Sequence, residues 1–199
     1  MSLVDSLKKL PIDLGQANLR GTTKGKLIAL EHVADGAGKH ALDIGCREGM
    51  QSEWLKGRGY TVTSIDVEKI YPEALIVDAN KDLPFEDSSF DLIWCSEVIE
   101  HLEDPFHFRA EVDRLLKPGG MLALTTPNSH FWFYSVAKLF GMSAKELQNP
   151  THLQFFSEEK ICEIFPDAKH YGFFPYALIR CRIKCCIGPL SPTFVVILE

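Results

Sequence analysis

The chain lacks several features that would assign it to a functional class at once. Its 21 Lys and Arg residues are outnumbered by 27 Asp and Glu residues, and the net charge is −6. Nucleic-acid-binding proteins need a basic surface, so the sequence predicts no nucleic-acid partner. No stretch is apolar over the roughly 18 residues that a membrane span needs. The sequence therefore predicts no transmembrane segment.

Signals for export and for thiolate metal sites are also missing. Met1–Leu10 includes Asp5 and has no apolar run of the kind that a signal peptide carries. The six cysteines show no C-x2-C pair of the kind that marks zinc sites, and the sequence predicts no metal site. We expect a cytoplasmic protein with reduced, small, buried thiols at Cys46, Cys95, Cys162, Cys181, Cys185 and Cys186.

What is present is the composition of one soluble globular domain. Hydrophobic residues make up 46% of the chain and charged residues 24%, which are ordinary proportions. The length suffices to bury a substantial core. With no repeat or linker in the sequence, we predict a single domain over residues 1–199, with a polar lead-in over residues 1–21.

Strand and helix patterns alternate along the chain, which indicates an α/β fold with a parallel sheet. Ligands bind such sheets at the carboxyl ends of the strands, where the strand order switches direction. The predicted strands are His40–Ile44, Thr61–Asp66, Leu75–Asp78, Phe90–Cys95, Met121–Thr125 and Phe194–Leu198. The predicted helices are Thr22–Ala34, Gln51–Arg58, Pro105–Leu116 and Glu158–Phe165, the third ended by the breakers Lys117–Gly120.

A glycine turn follows the first predicted strand in Asp43-Ile44-Gly45-Cys46-Arg47-Glu48-Gly49. Alone, this pattern fits a structural turn as well as a nucleotide site. Dinucleotide loops favour G-x-G-x-x-G, but here Arg47 takes the second glycine position. Asp43 is a poor neighbour for two phosphates and a good one for an amino or sulfonium group. The pattern therefore disfavours a nicotinamide cofactor and favours a cationic, phosphate-free one.

Acids also end the next two predicted strands. A carboxylate at Asp66 can accept hydrogen bonds from both hydroxyls of a ribose. Asp78-Ala79 offers an acid and a backbone amide, which can hold an adenine edge. Each aspartate alone fits a turn or a helix cap. Three acids at three successive strand ends are harder to explain in that way.

Together these motifs resemble the class I S-adenosylmethionine-dependent methyltransferases, within a small-molecule group that includes ubiquinone-biosynthesis and glycan-modifying O-methyltransferases. The resemblance covers residues 22–165 and implies a Rossmann-like, doubly wound, mostly parallel sheet of seven strands. It rests on Leu42–Cys46, Asp66, Asp78-Ala79, Leu83–Phe85, Ser89–Ile93, Ser96–Pro105 and Leu116–Gly120.

The resemblance also implies how the cofactor S-adenosylmethionine is held. Gly45, Cys46 and Gly49 would line its methionine part, with Asp43 and Arg47 in the same loop. Asp66, followed by Val67, would bind the ribose. The adenine would lie against Asp78 and Ala79, and the sulfonium near Cys95 and Ser96.

Two departures from the family pattern are visible. The family usually has glycine at the position of Arg47, and we expect a right-handed backbone there that tolerates a side chain. Only Val67–Ala74 separates the second strand from the third, too few residues for a helical crossover. The connection should therefore be shortened, leaving an adenine pocket closed partly by Ile70, Tyr71 and Pro72.

Three residues are candidates for work on the methyl acceptor. Glu97 and His101 are four residues apart, so a helix would place them on one face as candidate bases. Alternatively, Glu97 holds backbone or cofactor, and His101 caps or packs. His152 resembles a family residue near the acceptor, although a histidine beside two phenylalanines is often structural. The chain lacks the Asn/Asp-Pro-Pro-Tyr motif of amide and base N-methyltransferases, so we expect an oxygen acceptor.

Two later segments keep alternative interpretations. Residues 127–157 contain the aromatic run His130–Tyr134 and form either a substrate lid or an ordinary amphipathic helix. The cations Lys169, Arg180, Arg182 and Lys184 fit an anionic-substrate site, a peripheral membrane contact or a solvated face.

The sequence therefore predicts a methyltransferase for a small molecule or glycan, acting at oxygen. The main rival is a non-catalytic member of the fold that binds cofactor or a partner. The oligomeric state is left open.

Overall fold

A computed structural model describes residues 23–139, 141, 147–148, 151–174 and 181–199. Across these ranges one sheet of eight strands has the order β3-β2-β1-β4-β5-β8-β6-β7. The lead-in over residues 1–21 lies outside the described residues. The strands are β1 His40–Ile44, β2 Thr61–Asp66, β3 Leu75–Ile76, β4 Phe90–Ser96, β5 Leu116–Pro127, β6 Lys169–Phe173, β7 Arg182–Ile183 and β8 Thr193–Leu198.

The helices flank the sheet and begin where the sequence supplies caps. Thr23, Asp104 and Ser157 each accept hydrogen bonds from backbone amides of the helix that follows. None of the helices within the described ranges is long and apolar enough to cross a bilayer. They are α1 Lys24–His32, α2 Met50–Gly57, α3 Pro105–Leu115, α4 Trp132–Leu139, α5 Glu158–Ile164 and α6 Ile187–Leu190, with a 3-10 turn at Ile99–His101.

The strands β1 to β5 pair in parallel, and their carboxyl ends therefore meet at one edge of the sheet. The chain leaves β1 towards β2 and β3 on one side, and returns through β4 and β5 on the other. In register, Ile44 at the end of β1 lies opposite both Ile65 and Cys95. The switch in strand order thus falls between β1 and β4, where a doubly wound sheet binds ligands.

Apolar residues from both faces of the sheet form the core. One face carries Leu42, Ile93 and Leu124 against α3 and α5, and the other carries Ala41 and Trp94 against α1. Because β1 is covered on both faces, only its first residue is exposed.

The sheet differs from the predicted one in its strand number and at β5. A two-residue strand, β7, pairs with β6 at the edge and brings the total to eight strands. The breakers Lys117–Gly120 do end α3, but they lie within β5, which begins at Leu116. The pairing register shifts between Phe90 and Leu92, and Gly119 has a φ of 75°, so a bulge accommodates the breakers.

The cysteines also differ from the expectation of buried thiols. Only Cys46 and Cys95 are buried, and all six are free; the exposed thiols are Cys162, Cys181, Cys185 and Cys186. The four exposed residues lie on α5 and around β7, far along the chain from the central strands that bury the other two.

The short connection between β2 and β3 contains no helix, as predicted. Tyr71 fills the space instead, packing with Cys46 and Ala74 in a small buried cluster. Its hydroxyl donates to Glu53 and accepts a hydrogen bond from Lys56 at 2.7 Å. The connection is therefore held against α2 by one aromatic side chain.

Asn128 ties the end of β5 to the segment before β8. This fully buried side chain donates to the carbonyls of Gly188 and Ser191, both at 2.6 Å. Its Oδ1 accepts from the amide of His130 at 2.9 Å. The turn that leads from the sheet into α4 is thus fixed by one amide.

We expect Asn128→Ala to destabilise the fold, because it leaves buried carbonyls and an amide without partners. The expected loss in the free energy of unfolding is about 1–3 kcal/mol, measured by urea unfolding. The matched control is Ser129→Ala, which removes a single 3.2 Å hydrogen bond to Gln148 and should cost less. Equal losses for the two variants would contradict the role given to Asn128.

Candidate active site

A cavity of about 980 Å³ opens at the carboxyl ends of β1, β2 and β4. Its size lies at the upper end of the range typical of small-molecule sites. Most of the residues predicted from the sequence line it: Gly45, Cys46, Arg47, Asp66, Val67, Asp78, Ala79, Ser96, Glu97, His101 and His152. The polar lining also includes Lys26, Gln51, Asn80, Glu100 and Thr151.

The backbone of the glycine loop adopts left-handed conformations at Gly45, Arg47 and Gly49, with φ of 75°, 46° and 79°. A Cβ at Gly45 would collide with Val98, and one at Gly49 with the ring of Tyr71. These two positions therefore need glycine for both conformation and space.

The prediction of a right-handed backbone at Arg47 was wrong. Its left-handed conformation costs a non-glycine residue about 1–2 kcal/mol. The Arg47 amide donates to Oδ2 of Asp66 at 2.9 Å, which offsets part of this cost. Its side chain is 65% exposed and lies 3.8 Å from Glu48. The loop therefore keeps the left-handed backbone that a glycine would adopt at this position, because the hydrogen bond to Asp66 stabilises it.

Asp66 stands at the end of β2 with both carboxylate oxygens held by backbone. Oδ2 accepts from Arg47, and Oδ1 accepts from the amide of Glu68 at 3.1 Å. Each carboxylate oxygen can accept a further hydrogen bond. The group is therefore oriented in advance and can still take two more donors from the cavity.

Asp78 and Ala79 form the next part of the wall. Oδ1 of Asp78 accepts from both the backbone and the side-chain nitrogens of Asn80, each at 3.0 Å. These hydrogen bonds lower the pKa of Asp78, so the carboxylate is charged at neutral pH. Asn80 in turn accepts from the amide of Glu103 at 2.8 Å. This fixes the wall to the segment after β4.

Three residues predicted to bind cofactor, Asp43, Gly49 and Cys95, do not line the cavity. Asp43 is 1% exposed and accepts from the Ser52 hydroxyl at 2.5 Å, beneath the glycine loop. Burial raises its pKa to about 6. Burial likewise raises the pKa of the Cys95 thiol. The alternation of side chains along buried strands places Asp43 and Cys95 inside the fold. The hydrogen bond from Ser52 connects Asp43 on β1 to α2.

The opposite wall begins at Glu97, a second residue in the left-handed region, with a φ of 60°. Its amide donates to the Thr125 carbonyl at 2.9 Å, and its Oε1 accepts from the Thr125 hydroxyl at 2.9 Å. Ser96 contacts the same hydroxyl at 2.7 Å. Strain in such a position is often retained at functional sites. Here, β5 holds the strained residue at the cavity.

His101 and His152 meet on this wall with ring centroids 4.9 Å apart, edge to face. Glu97 and His101 share the cavity, but not on an α-helical face as predicted, because a 3-10 turn begins only at Ile99. Nδ1 of His101 lies 3.2 Å from the Thr151 carbonyl. Burial, with a smaller effect of His101, lowers the pKa of His152 to about 4. His152 is thus a neutral imidazole at neutral pH.

Glu100 was missed from the sequence. It is 1% exposed, and its Oε2 accepts from the Thr126 hydroxyl at 3.0 Å. Its backbone carbonyl accepts from the amides of Leu153 and Gln154, both at 2.9 Å, which carries His152 to the cavity. Burial, followed by the charge of Glu97, raises the pKa of Glu100 well above its ordinary value. A glutamate usually faces water, so only its place between Glu97 and His101 could have singled it out.

Lys26 was also missed. It lies on α1, which packs against β5, β6 and β8, and its side chain lines the cavity. Nothing in its sequence neighbourhood sets it apart from the other lysines of that helix.

Residues 42–124 match a family model described as a methyltransferase domain. This region of the chain is similar to the class I methyltransferases. The doubly wound, mostly parallel sheet and the acids after β2 and β3 are those that the resemblance implied, so the predicted resemblance is confirmed.

Curated proteins similar to this chain are named ubiquinone biosynthesis O-methyltransferase. The one from Coxiella burnetii (strain Dugway 5J108-111) is 36% identical over 110 residues, covering 49% of this chain and 47% of the relative. The one from Thiobacillus denitrificans is 34% identical over 115 residues, covering 51% and 50%. The chain thus spans about half the length of the curated relatives that it matches.

Solved structures show the same fold at lower identity. An S-adenosylmethionine-dependent methyltransferase from Mesorhizobium loti has a TM-score of 0.66 at 16% identity, covering 86% of this chain and 95% of that one. An S-adenosylmethionine-dependent methyltransferase from Archaeoglobus fulgidus has a TM-score of 0.62 at 18% identity, covering 88% and 94%.

The aromatic run His130–Tyr134 does not line the cavity. Phe131 and Tyr134 are buried in a separate cluster with Ala137 and Leu147. This cluster supports the alternative of an amphipathic helix, since the aromatic face of α4 is buried against Phe131 and Leu147. Residues 140, 142–146 and 149–150 of the predicted lid lie outside the described residues, and a lid over 127–157 stays a prediction.

Among the described late cations, Lys169, Arg182 and Lys184 do not line the cavity either. Lys169 pairs with Glu199, and Arg182 lies 3.5 Å from Glu31. Arg182 and Lys184 both stack over Tyr171. Arg180 lies outside the described residues. These contacts support the solvated-face interpretation over an anionic-substrate site.

We expect Asp43→Asn to change how stability depends on pH. The folded pKa of about 6 lies above the ordinary aspartate value of 3.8, because burial favours the neutral carboxyl. The wild type therefore loses stability as pH rises between these values, whereas the amide does not. The difference in the free energy of unfolding between Asp43→Asn and the wild type should be about 2 kcal/mol more favourable to the variant near pH ~8 than near pH ~4.

Urea unfolding at the two pH values measures this difference. The control is Asp35→Asn, since the Asp35 side chain is 82% exposed and pairs with Arg58 at the surface. A gain for Asp43→Asn that is the same at both pH values would show that Asp43 is not held as a buried, neutral acid.

Proposed function

We propose that the chain transfers a methyl group from S-adenosylmethionine to an oxygen atom of a small molecule. The observation that carries this proposal is the arrangement of the cavity walls. Asp66 and Asp78 stand on one wall at successive strand ends, and Glu97, His101 and His152 stand on the other. A donor molecule and an acceptor can therefore meet between the two walls.

The residues of the first wall fit the cofactor. Asp66 can accept from two ribose hydroxyls, and Asp78 and Ala79 can hold the adenine edge. Gly45 and Cys46 line the part of the cavity next to the switch point, where the methionine part would lie. Lys26 at the rim supplies a positive charge for its carboxylate. When bound, S-adenosylmethionine supplies an electrophilic methyl group on a sulfonium.

The residues of the second wall hold the acceptor. Glu97 offers a carboxylate oriented by the Thr125 hydroxyl. We assign Glu97 the role of general base, which removes the proton from the acceptor's hydroxyl group. His101 and His152 position the acceptor, since their rings fix each other edge to face. Alignment of the two reactants can contribute about 7–11 kcal/mol to a displacement of this kind. Names of curated relatives that specify an O-methyltransferase support an oxygen acceptor.

The geometry favours catalysis over a non-catalytic member of the fold. That alternative rested on Arg47 and on the shortened connection after β2. The Arg47 side chain is largely exposed and its amide orients Asp66, and Tyr71 fills the space of the missing helix. Neither departure blocks the cavity. Glycans remain within the proposed substrate class, and a peripheral membrane contact and cytoplasmic location stay predictions.

We expect Asp66→Ala to weaken S-adenosylmethionine binding by about 1–3 kcal/mol, because two charge-assisted hydrogen bonds are lost. Isothermal titration calorimetry measures the dissociation constant. Asp82→Ala is the control, because the Asp82 side chain is 89% exposed and does not line the cavity. Unchanged affinity in Asp66→Ala would contradict the ribose assignment, and a wild type that does not bind the cofactor would overturn the proposed function.

We expect Glu97→Gln to lower kcat about 10²–10⁴-fold, because a neutral amide cannot take up the acceptor's proton. Thr125 can still donate to the amide oxygen, so cofactor affinity should not change. Transfer of radiolabelled methyl groups to a panel of hydroxylated aromatic and sugar acceptors measures the rate. Glu86→Gln serves as control, since Glu86 does not line the cavity. A wild-type rate in Glu97→Gln would remove Glu97 from the reaction.

A further inference from the structure

The loop after β1 carries an arginine at a position whose backbone conformation suits glycine. Arg47 has a φ of 46°, in the left-handed region that residues with a side chain rarely adopt. The hydrogen bond to Asp66 that stabilises this conformation is donated by the backbone amide of Arg47. A glycine would donate the same hydrogen bond without the strain. The fold therefore does not need the arginine side chain to keep the shape of the loop.

The side chain of Arg47 contributes little to the folded chain. It is 65% exposed, and its ion pair within the described residues is a 3.8 Å contact with Glu48, which is equally exposed. Ion pairs between exposed side chains stabilise proteins only weakly. The hydrogen bond that Arg47 donates within the described ranges comes from its backbone, not from its guanidinium group. The five N–H donors of that group are therefore available to a ligand.

Arg47 stands between the two walls of the cavity. Its loop follows β1, which pairs with β2 on one side and with β4 on the other. The residue lines the cavity together with Asp66 of the first wall and Glu97 of the second. Since the arginine side chain is long and flexible, its guanidinium group can meet a ligand that lies against either wall.

The charges of the lining leave few places for an anionic group. Among the described residues, the Lys and Arg side chains that line the cavity are Lys26 and Arg47. The carboxyl side chains that line it are Glu48, Asp66, Glu68, Asp78, Glu97 and Glu100. A carboxylate or phosphate in the cavity is therefore attracted at the two cations and repelled by ionised acids elsewhere. In the proposed function Lys26 binds the carboxylate of S-adenosylmethionine, which leaves Arg47 for a second anionic group.

We propose that Arg47 is a specificity-determining residue, which binds a carboxylate or phosphate group of the methyl acceptor. A guanidinium group donates two parallel hydrogen bonds to either kind of group, with a geometry that a lysine does not match. The proposal rests on the proposed function and narrows its substrate class. The acceptor is a small molecule that carries a hydroxyl and an anionic group.

Two points of attachment orient such an acceptor. Arg47 holds the anionic group at the loop after β1, and the hydroxyl lies at the second wall beside Glu97. An acceptor held at two points reaches the geometry for methyl transfer more often than one held at a single point. A neutral acceptor lacks the first point, so Arg47 discriminates between acceptors that differ in charge. The strain at Arg47 is then retained because the same residue recognises the ligand.

The test compares matched probe molecules, 3-hydroxybenzoate with phenol and glucose 6-phosphate with glucose. Isothermal titration calorimetry of the full chain, saturated with S-adenosylhomocysteine so that no methyl group is transferred, measures each dissociation constant. We expect the wild type to bind at least one anionic probe about 10-fold or more tightly than its neutral counterpart. The pair that shows this preference distinguishes a carboxylate from a phosphate.

Arg47→Gln should abolish this preference, because the neutral amide has no charge for the anionic group. Arg182→Gln is the matched control. Arg182 is also a partly exposed arginine in a long ion pair, 3.5 Å from Glu31, but it does not line the cavity. This variant should keep the preference of the wild type.

Thermal unfolding of Arg47→Gly separates recognition from stability. Glycine adopts the left-handed backbone without strain, so the Tm should rise by about 2–6 °C while the preference for the anionic probe is lost. Affinity for S-adenosylhomocysteine should not change, because the amide at position 47 still donates to Asp66. A side chain with a purely structural role would instead lower the Tm when it is removed.

Two results would overturn the role of Arg47. One is a wild type that binds neither anionic probe more tightly than its neutral counterpart. The other is an Arg47→Gln variant that keeps the preference, including the case in which it loses affinity for S-adenosylhomocysteine instead, since the side chain would then serve the cofactor.

The two proposals fail separately. A wild type that does not bind S-adenosylmethionine would overturn the proposed function, and titration of the probes without cofactor would still show whether a preference depends on Arg47. Methyl transfer to a neutral acceptor, with no preference for either anionic probe, would overturn the role of Arg47 and leave the proposed function supported.

Discussion

The parallel pairing of β1 with both β2 and β4 is the constraint on which the rest of the structure depends. Parallel strands end at the same edge, so the loops after them converge whatever their separation in sequence. The connections from β1 to β2 and β3 run to one side of β1, and those to β4 and β5 run to the other side. A crevice is therefore left open at the carboxyl end of β1. The cavity occupies that gap, between the acids after β2 and β3 and the polar turn after β4.

Hydrogen bonds to the backbone keep this edge in one conformation. Asp66 holds the left-handed Arg47, and Thr125 holds the left-handed Glu97. In both cases the strained residue forms a hydrogen bond with a side chain of the neighbouring strand. The Arg47 amide donates to the Asp66 carboxylate, and the Thr125 hydroxyl donates to the Glu97 carboxylate. The two strained residues stand on opposite walls, so the width of the cavity depends on contacts that are made within the sheet.

The two walls differ in how they treat charge. The acids of the first wall, Asp66 and Asp78, accept hydrogen bonds from backbone amides, and those to Asp78 lower its pKa. On the second wall Glu100 is buried beside His152, and half of its carboxylate has no partner among the described residues. The first wall therefore suits a ligand bound by hydrogen bonds, whereas burial on the second wall raises the pKa of Glu100 and favours its neutral carboxyl.

The sequence by itself determined the order of the elements from α1 to β5 and the residues at both ends of β1 and β2. Glycines, prolines and apolar runs act locally, so β1 and β2 were predicted with their observed bounds. The acids after β2 and β3 were found for the same reason, since a strand end is a local feature. Breakers misled the prediction only at β5, where a bulge absorbs them.

The tertiary structure alone decided which of these side chains face the cavity. Asp43 and Cys95 stand at strand ends too, but packing on both faces of the sheet buries them. Arg47 adopts a left-handed backbone because Asp66, which lies 19 residues further on, accepts its hydrogen bond. Glu100 meets His152 across 52 residues through its own carbonyl. Burial and hydrogen bonds between distant segments are properties of the packed chain, and no local pattern encodes them.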